Sequence, residues 1–447
     1  MSRTKRYAAT TLALVLLLTF GLLLAACGAE TPAPSGSSTA TAPAKTGVIK
    51  IGMNCPLSGG AAAWGLPGME GLEIWVDWMN EKGFQIGDTT YTFEIVKYDN
   101  EGIGSKALLG ARKLVLQDKV SFILDLGGAT SGSMVPFLTD QKMISFTLIA
   151  QDLKADRPYL FDVTDNFPTY HITDMEYIHK AHPDMTKMAI LSQDDEIGVA
   201  AVAWAEAAAE TEGINIVYDK PFGLETTDFA PIVTAALKSK PDIINLGACY
   251  PEYQALICEQ AYLQGWKGII TSACWDFAAI LAKVPKEFME GAVSNFPYFN
   301  DPGLEGKASI GPIGNPVATT GHTHLEFWNE WQKRFPGHGY SEIVWEYMSA
   351  ADIWTWAAQK AGSIVPETVA TTLESSAEVP HTLGGMGKWL GKDFFGIDHL
   401  LAPTLPVTEI QNGEPVIVDW MTVRDWLAAP GNADILDKYL DKWHLGL

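Results

Sequence analysis

Short β-rich runs alternate with longer amphipathic ones along most of this chain, and the alternation happens twice. In the first stretch, "VIKIGM" (Val48–Met53) predicts a strand, "MEGLEIWVDWMNEKG" (Met69–Gly83) a helix closing at a glycine, and "YTFEIVKYD" (Tyr91–Asp99) the next strand. A helix over 105–117, the strand "VSFILDL" (Val120–Leu126), a helix over 133–140 and the strand "MISFTLI" (Met143–Ile149) follow. After "YLFDVTDN" (Tyr159–Asn166) the rhythm resumes with helices over 169–181, 199–212, 229–238 and 252–264, separated by strands over 188–192, 214–222, 242–248 and 268–273. Such alternation requires parallel sheets covered on both faces and joined by right-handed crossovers. Two runs therefore predict an α/β protein of two doubly wound parallel-sheet lobes, and the roughly 400 residues beyond Val48 are too many for one core. Ligands of open α/β sheets sit beyond the carboxyl ends of the strands. The loops to read for function are thus 54–66, 127–131, 149–152, 193–198, 249–253 and 274–277.

Ahead of the lobes, Arg3, Lys5 and Arg6 precede an uncharged run from Ala8 to Ala26, the form of an export signal. Leu24-Ala25-Ala26-Cys27 resembles the lipobox of bacterial lipoproteins. It predicts a signal peptide over 1–26, lipidation of Cys27, and a flexible linker over 27–47 that is rich in Ala, Thr, Pro, Ser and Gly and too polar to fold. The expected location is extracytoplasmic, with acyl chains holding the body to the cell membrane. The chain carries 31 basic against 53 acidic side chains, a formal charge of −22, and losing Arg3, Lys5 and Arg6 with the signal makes it −25. That balance argues against nucleic acid as a partner. Cys55, Cys249, Cys258 and Cys274 remain in a compartment that permits disulfides, and their spacing cannot rank the three full pairings.

Enzyme signatures are missing from the sequence. His322 and His324 in "GHTH" lack the i, i+4 spacing and adjacent Glu of a zinc protease, "LGGATSGS" holds no nucleophile elbow, and no G-x-x-x-x-G-K-[ST] or C-x-x-C occurs. No catalytic residue, metal or cofactor is expected.

The segment "IKIGMNCPLSGGAAAWGLPGMEGLEIWVDWMNEKG" followed by "YTFEIVKYDNEG" resembles the amino-terminal signature of the leucine/isoleucine/valine-binding protein family, the solute-binding components of ABC importers. Further matches are the 127–131 loop, "KMAILSQDDEIG", "TTDFAPIVTAALKSKPDIINLGACYPE" and "QAYLQGWKG". The resemblance implies a hinged periplasmic-binding-protein fold of type I. The chain would cross between lobes near 161–166, 293–297 and 382–386, making lobe 1 from 48–163 plus 296–383 and lobe 2 from 164–295 plus 384–447. It implies a monomer that closes on a small solute and delivers it to an ABC permease, with a sensory subunit reporting to a membrane receptor as the alternative. The Gly- and Pro-rich 300–320 region carries no readable role, and the residues after Trp420 are expected to cover lobe 2.

The same resemblance nominates site residues. Gly128, Ala129, Thr130 and Ser131, then Ile149, Ala150 and Gln151, fall where the family offers hydroxyls and N–H groups to a ligand carboxylate; Thr130 and Ser131 equally suit a helix cap. Trp64 stands where an aromatic walls the pocket. Ile197 replaces an expected tyrosine, and Cys249 with Tyr250 another. Cys274 occupies the place of the acid that pairs with an amino acid's ammonium, so either Asp276 reaches in or the ligand has no α-ammonium. With Trp275, Phe296 and Tyr298 also near, the substitutions favour a hydrophobic or aromatic acid or amide over a branched-chain amino acid. Cys249 and Cys274 could bridge or remain free buried thiols.

Overall fold

The computed structural model of the protein describes residues 45–272, 277–295, 319–338, 343–381 and 386–446, the side chains at 165, 166 and 324 excepted. Cys27, the signal segment and the linker up to 44 lie outside them, as do Cys274, Trp275, Asp276, Phe296, Tyr298 and nearly all of 300–320; residues 45–47, expected as the end of the linker, instead open the first strand, because they pair in register with Thr89–Tyr91.

Two sheets organise the described residues. Strands β1 (Lys45–Cys55), β2 (Phe84–Ile86), β3 (Thr89–Asp99), β4 (Phe122–Leu124), β5 (Ser145–Ile149) and β6 (Leu160–Phe167) build the first. The second takes β7 (Lys187–Ile190), β8 (Asn215–Asp219), β9 (Ile243–Asn245), β10 (Ile269–Thr271) and β11 (Val293–Ser294). The chain then returns to the first sheet with β12 (Val379–Pro380), β13 (Met386–Leu390) and β14 (Leu400–Ala402), and ends in the second with β15 (Leu405–Gln411) and β16 (Glu414–Met421). The sheet orders are β12-β13-β14-β6-β5-β4-β1-β3-β2 and β16-β15-β11-β10-β9-β7-β8. The centre of each is parallel, as the alternation requires, while β2, β13, β15 and β16 add antiparallel pairings.

The lobe boundaries differ from the expected ones. β6 stays in the first sheet through Phe167, where Phe167 aligns with Ile149. β13 and β14 extend the first sheet too, β14 pairing Leu400 with Asp162. Residues 386–402 therefore belong to lobe 1, and the last described crossing is at 403–404 instead of 382–386. Short apolar runs such as Leu400–Ala402 have strand propensity but do not name a partner edge; only the open side of β6 does.

Two local features set the shape of the future cleft. On lobe 1, the helices Ala62–Lys82 and Ile343–Ala361 lie against each other at glycine contacts. A Cβ on Gly71 would stand 1.6 Å from the Val344 carbonyl oxygen, and one on Gly68 would stand 2.0 Å from the Tyr347 ring. This close approach brings the two helix starts, Trp64 and Ile343, together. On lobe 2, the alanine-rich helix Glu196–Thr211 begins three residues earlier than expected. Asp195 caps it by accepting the Gly198 N–H at 2.8 Å, and alanine's high propensity carries it through the buried interior. The helix Asn432–Lys442 covers this lobe, with Lys438 and Lys442 bonded to Glu210 and Glu206, in line with the reading of the tail.

Candidate ligand cleft

The carboxyl ends of the two sheets meet around a small apolar cavity of about 30 Å³. Trp64, Leu126, Leu148, Ile149, Phe167 and Ile343 line it from lobe 1, and Ile197 from lobe 2. Each lies at the end of a strand or the start of a helix. The lobes are closed over this space.

Two contacts join the walls. The Trp64 and Tyr250 rings meet edge to face with centroids 4.8 Å apart, and the Trp204 Nε1–H donates to Gln151 Oε1 at 3.0 Å. Tyr250 is held from behind. Its backbone N–H donates to Gln193 Oε1 at 3.0 Å, and Gln193 Nε2 donates to Asp195 at 2.7 Å. Burial pushes the Tyr250 phenol up to about 12, so it stays protonated.

Beneath the lobe-1 wall lies a buried acidic pair. Asp125 accepts Thr130 Oγ1–H at 2.8 Å and Ser131 Oγ–H at 2.6 Å; Asp152 accepts the Gly128 N–H at 2.9 Å and Thr147 Oγ1–H at 2.7 Å. Desolvation, the dominant cause, raises Asp125 to about 7 and Asp152 to about 6, and the hydrogen bonds only partly offset it. Gly127 and Gly128 adopt φ of 115° and 65°, which ends β4 abruptly and lets the helix Ala129–Asp140 start four residues before the expected position. A Cβ on Gly128 would stand 3.3 Å from Ile197. The glycine therefore borders the cleft.

A second polar cluster sits at the strand ends of lobe 2. His171 Nδ1 and Asn245 Nδ2 lie 3.1 Å apart, and Thr271 Oγ1–H donates to Asp174 Oδ2 at 3.0 Å. Burial pushes His171 down to about 3, which keeps it neutral near pH 7, and pushes Asp174 well above the ordinary carboxylate range, with the Thr271 hydrogen bond opposing the rise.

Among the nominated residues, Trp64, Ile149 and Ile197 line the cavity, with Gly128 and Tyr250 beside it. Thr130 and Ser131 follow Ala129 in the first helical turn, but their hydroxyls turn inward to Asp125. They neither cap the helix nor face the cavity. Ala150 is buried in the turn after β5, and Gln151 is engaged with Trp204. Cys249 points away from the cleft: its thiol donates to the carbonyls of Leu246 and Leu191, at 2.8 and 3.2 Å. Cys55, Cys249 and Cys258 are free buried thiols. Trp275 and Asp276 lie outside the described residues. The sequence reading missed Leu126, Leu148, Phe167 and Ile343, as well as Asp125 and Asp152. An acid inside the apolar run "FILDL" was the one available signal for Asp125, since a carboxyl in a buried strand needs partners.

The sequence profile of the periplasmic binding protein family matches residues 48–414. Among curated proteins, the Leu/Ile/Val-binding protein BraC3 of Rhizobium johnstonii is 25% identical over 251 residues, 54% of this chain and just under two thirds, 66%, of that relative. The crystal structure of a leucine-binding protein, LivK, from Thermotoga maritima superposes with a TM-score of 0.66 at 18% identity, covering 84% of this chain and 99% of that one. An ABC-transporter solute-binding protein from Rhodopseudomonas palustris, solved with 3,4-dihydroxybenzoic acid, has a TM-score of 0.66 at 16% identity and covers 84% and 97% of the two chains. The profile spans most of the chain, and both solved structures share its fold. The chain belongs to the periplasmic binding protein family.

Proposed function

We propose that this protein is the extracytoplasmic, lipid-anchored solute-binding component of an ABC importer. It captures a small hydrophobic or aromatic solute between its lobes and presents the closed form to a membrane permease. The cavity carries this reading: every described residue lining it is apolar, and the walls come from both lobes. Capture by lobe closure needs no covalent chemistry. Contacts made only in the closed form, such as Trp64 with Tyr250 and Gln151 with Trp204, supply the differential free energy by which a ligand shifts the equilibrium. The names of the relatives, which speak of leucine, isoleucine and valine and of an aromatic acid, support a small solute with an apolar side chain or ring. Lipidation would fall on Cys27.

The test is a thermal-shift screen of the purified protein, unfolded and refolded to strip any carried-over solute, against amino acids, aromatic acids and amides. A ligand at a hundred times its dissociation constant adds about 2.7 kcal/mol of stability. A shift that disappears in Trp64→Ala places the ligand in the cleft; a shift untouched by that change removes the cleft from the account.

A further inference from the structure

Among the described residues lining the cavity, Phe167 is the one that stands at a crossing between the lobes. It ends β6, aligned with Ile149 of β5, and so belongs to lobe 1. The next residues are built into lobe 2. The carbonyls of Pro168 and Thr169 accept the N–H groups of His171 and Ile172, at 3.3 and 3.0 Å, and open the helix Tyr170–Ala181. That helix is pinned to the strand ends of its own lobe. His171 meets Asn245 at the end of β9, and Asp174 accepts the Thr271 hydroxyl at the end of β10. Thr173 Oγ1–H donates to Asn295 Oδ1 at 2.9 Å, and Asn295 Nδ2–H donates to the Pro406 carbonyl at 3.0 Å. Asn295 follows β11, the last strand before the chain returns to lobe 1, and Pro406 lies just past the crossing at 403–404. One buried amide therefore ties together the lobe-2 ends of all three crossings.

We propose that Phe167 sets which solutes close the protein: one whose apolar group fills the space against its ring holds the pivot of the first crossing, and one too small to reach the ring binds without full closure. This rests on the solute-capture reading above. With β6 bonded into one sheet and the helix bonded to the strand ends of the other, the first crossing bends around Phe167 and Pro168. Hinge motion concentrates at such element ends, while packed helices and sheets move as units. Trp64, Leu148 and Ile343 stand on lobe-1 elements away from any crossing, so a solute against them gains contact without touching the pivot. Phe167 differs because its side chain lines the solute space and its carbonyl leads into the bend. The buried bonds of Thr173, Asn295 and Pro406 then hold the three crossings to one setting. A ligand shifts an open–closed balance only through contacts that differ between the two forms. At Phe167 contact and bend coincide.

Calorimetry and small-angle scattering of the refolded protein test this with pairs that differ in apolar bulk: L-leucine against L-phenylalanine, benzoate against 4-methylbenzoate, and isovaleramide against phenylacetamide. In Phe167→Leu, the ratio of dissociation constants within a binding pair should move at least tenfold toward the bulkier member, about 1.4 kcal/mol. At saturation the smaller member should leave that variant with a larger radius of gyration than wild type. Leu148→Ala, which enlarges the same space away from the bend, should weaken binding and still reach the wild-type radius at saturation. Wild-type compaction of Phe167→Leu by both members, or an equal loss of compaction in Leu148→Ala, overturns the proposal and leaves solute capture standing. No binding of any of the six probes to wild type overturns both. Thr173→Val, which keeps the side-chain shape and removes the donor to Asn295, carries the test if Phe167→Leu does not fold. It should bind the same probes with incomplete compaction, and full compaction in it overturns the proposal.

Discussion

Trp64 of one lobe meets Tyr250 of the other, edge to face, with ring centroids 4.8 Å apart and planes at 66°. Neither ring has this partner unless the lobes are closed. An aromatic pair of this kind contributes about 0.5–1.5 kcal/mol beyond the area it buries, so it bears directly on the balance between open and closed forms. Tyr250→Ala should weaken a cleft ligand by roughly tenfold. Tyr250→Phe should stay near wild type, because the ring and not the hydroxyl makes the contact. Titration calorimetry with the best ligand from the thermal screen checks both; equal losses in the two variants would move the effect to the hydroxyl.

Gln151 and Trp204 form the second closure contact. Gln151→Leu leaves the buried Trp204 indole N–H without its acceptor, at a cost of about 1–3 kcal/mol in the closed form. The open form, in which water can replace the lost acceptor, is spared much of this. Small-angle scattering of the ligand-free variant should therefore show a larger radius of gyration than wild type, and ligand should reverse the expansion.

The acidic pair gives stability a pH dependence of definite sign. Asp125 and Asp152 have native values raised to about 7 and about 6, so the folded state binds protons more tightly than the unfolded chain does. Their stabilising effect is complete below the unfolded carboxylate value near 4 and is lost as pH rises through 6 and 7. Urea unfolding should show stability falling across that window by on the order of 2–4 kcal/mol from Asp125. Asp125→Asn should flatten most of the fall. A variant with the wild-type slope would show that Asp125 titrates as an ordinary carboxylate.

Gly71 tests the scaffold alone. A methyl group there would enter the Val344 carbonyl at 1.6 Å, forcing the helices Ala62–Lys82 and Ile343–Ala361 apart. Gly71→Ala should lower stability by about 1–3 kcal/mol, the usual cost of overpacking, measured as a drop in the denaturant midpoint. Gly132→Ala, with nothing within 4 Å of its Cβ, serves as the neutral comparison.

The chain's βα alternation determined the two parallel-centred lobes, because period and propensity are local and each strand or helix announces itself within a few residues. It also pointed to the loops at the strand ends, and Trp64, Ile149 and Ile197 came from them. The tertiary structure decided which edge the runs at 386–402 would join, since an unpaired edge belongs to the sheet and is not written in the strand that fills it. It likewise decided the direction of the Thr130 and Ser131 hydroxyls. As a string, "GGATSGS" offers free donors; in the fold, a helix starting at Ala129 turns them onto an aspartate four residues before it. Leu126, Leu148, Phe167 and Ile343 are ordinary apolar residues in their own segments. They become a cavity wall only because four separate elements converge there, and convergence between distant parts of a chain leaves no local trace in its sequence.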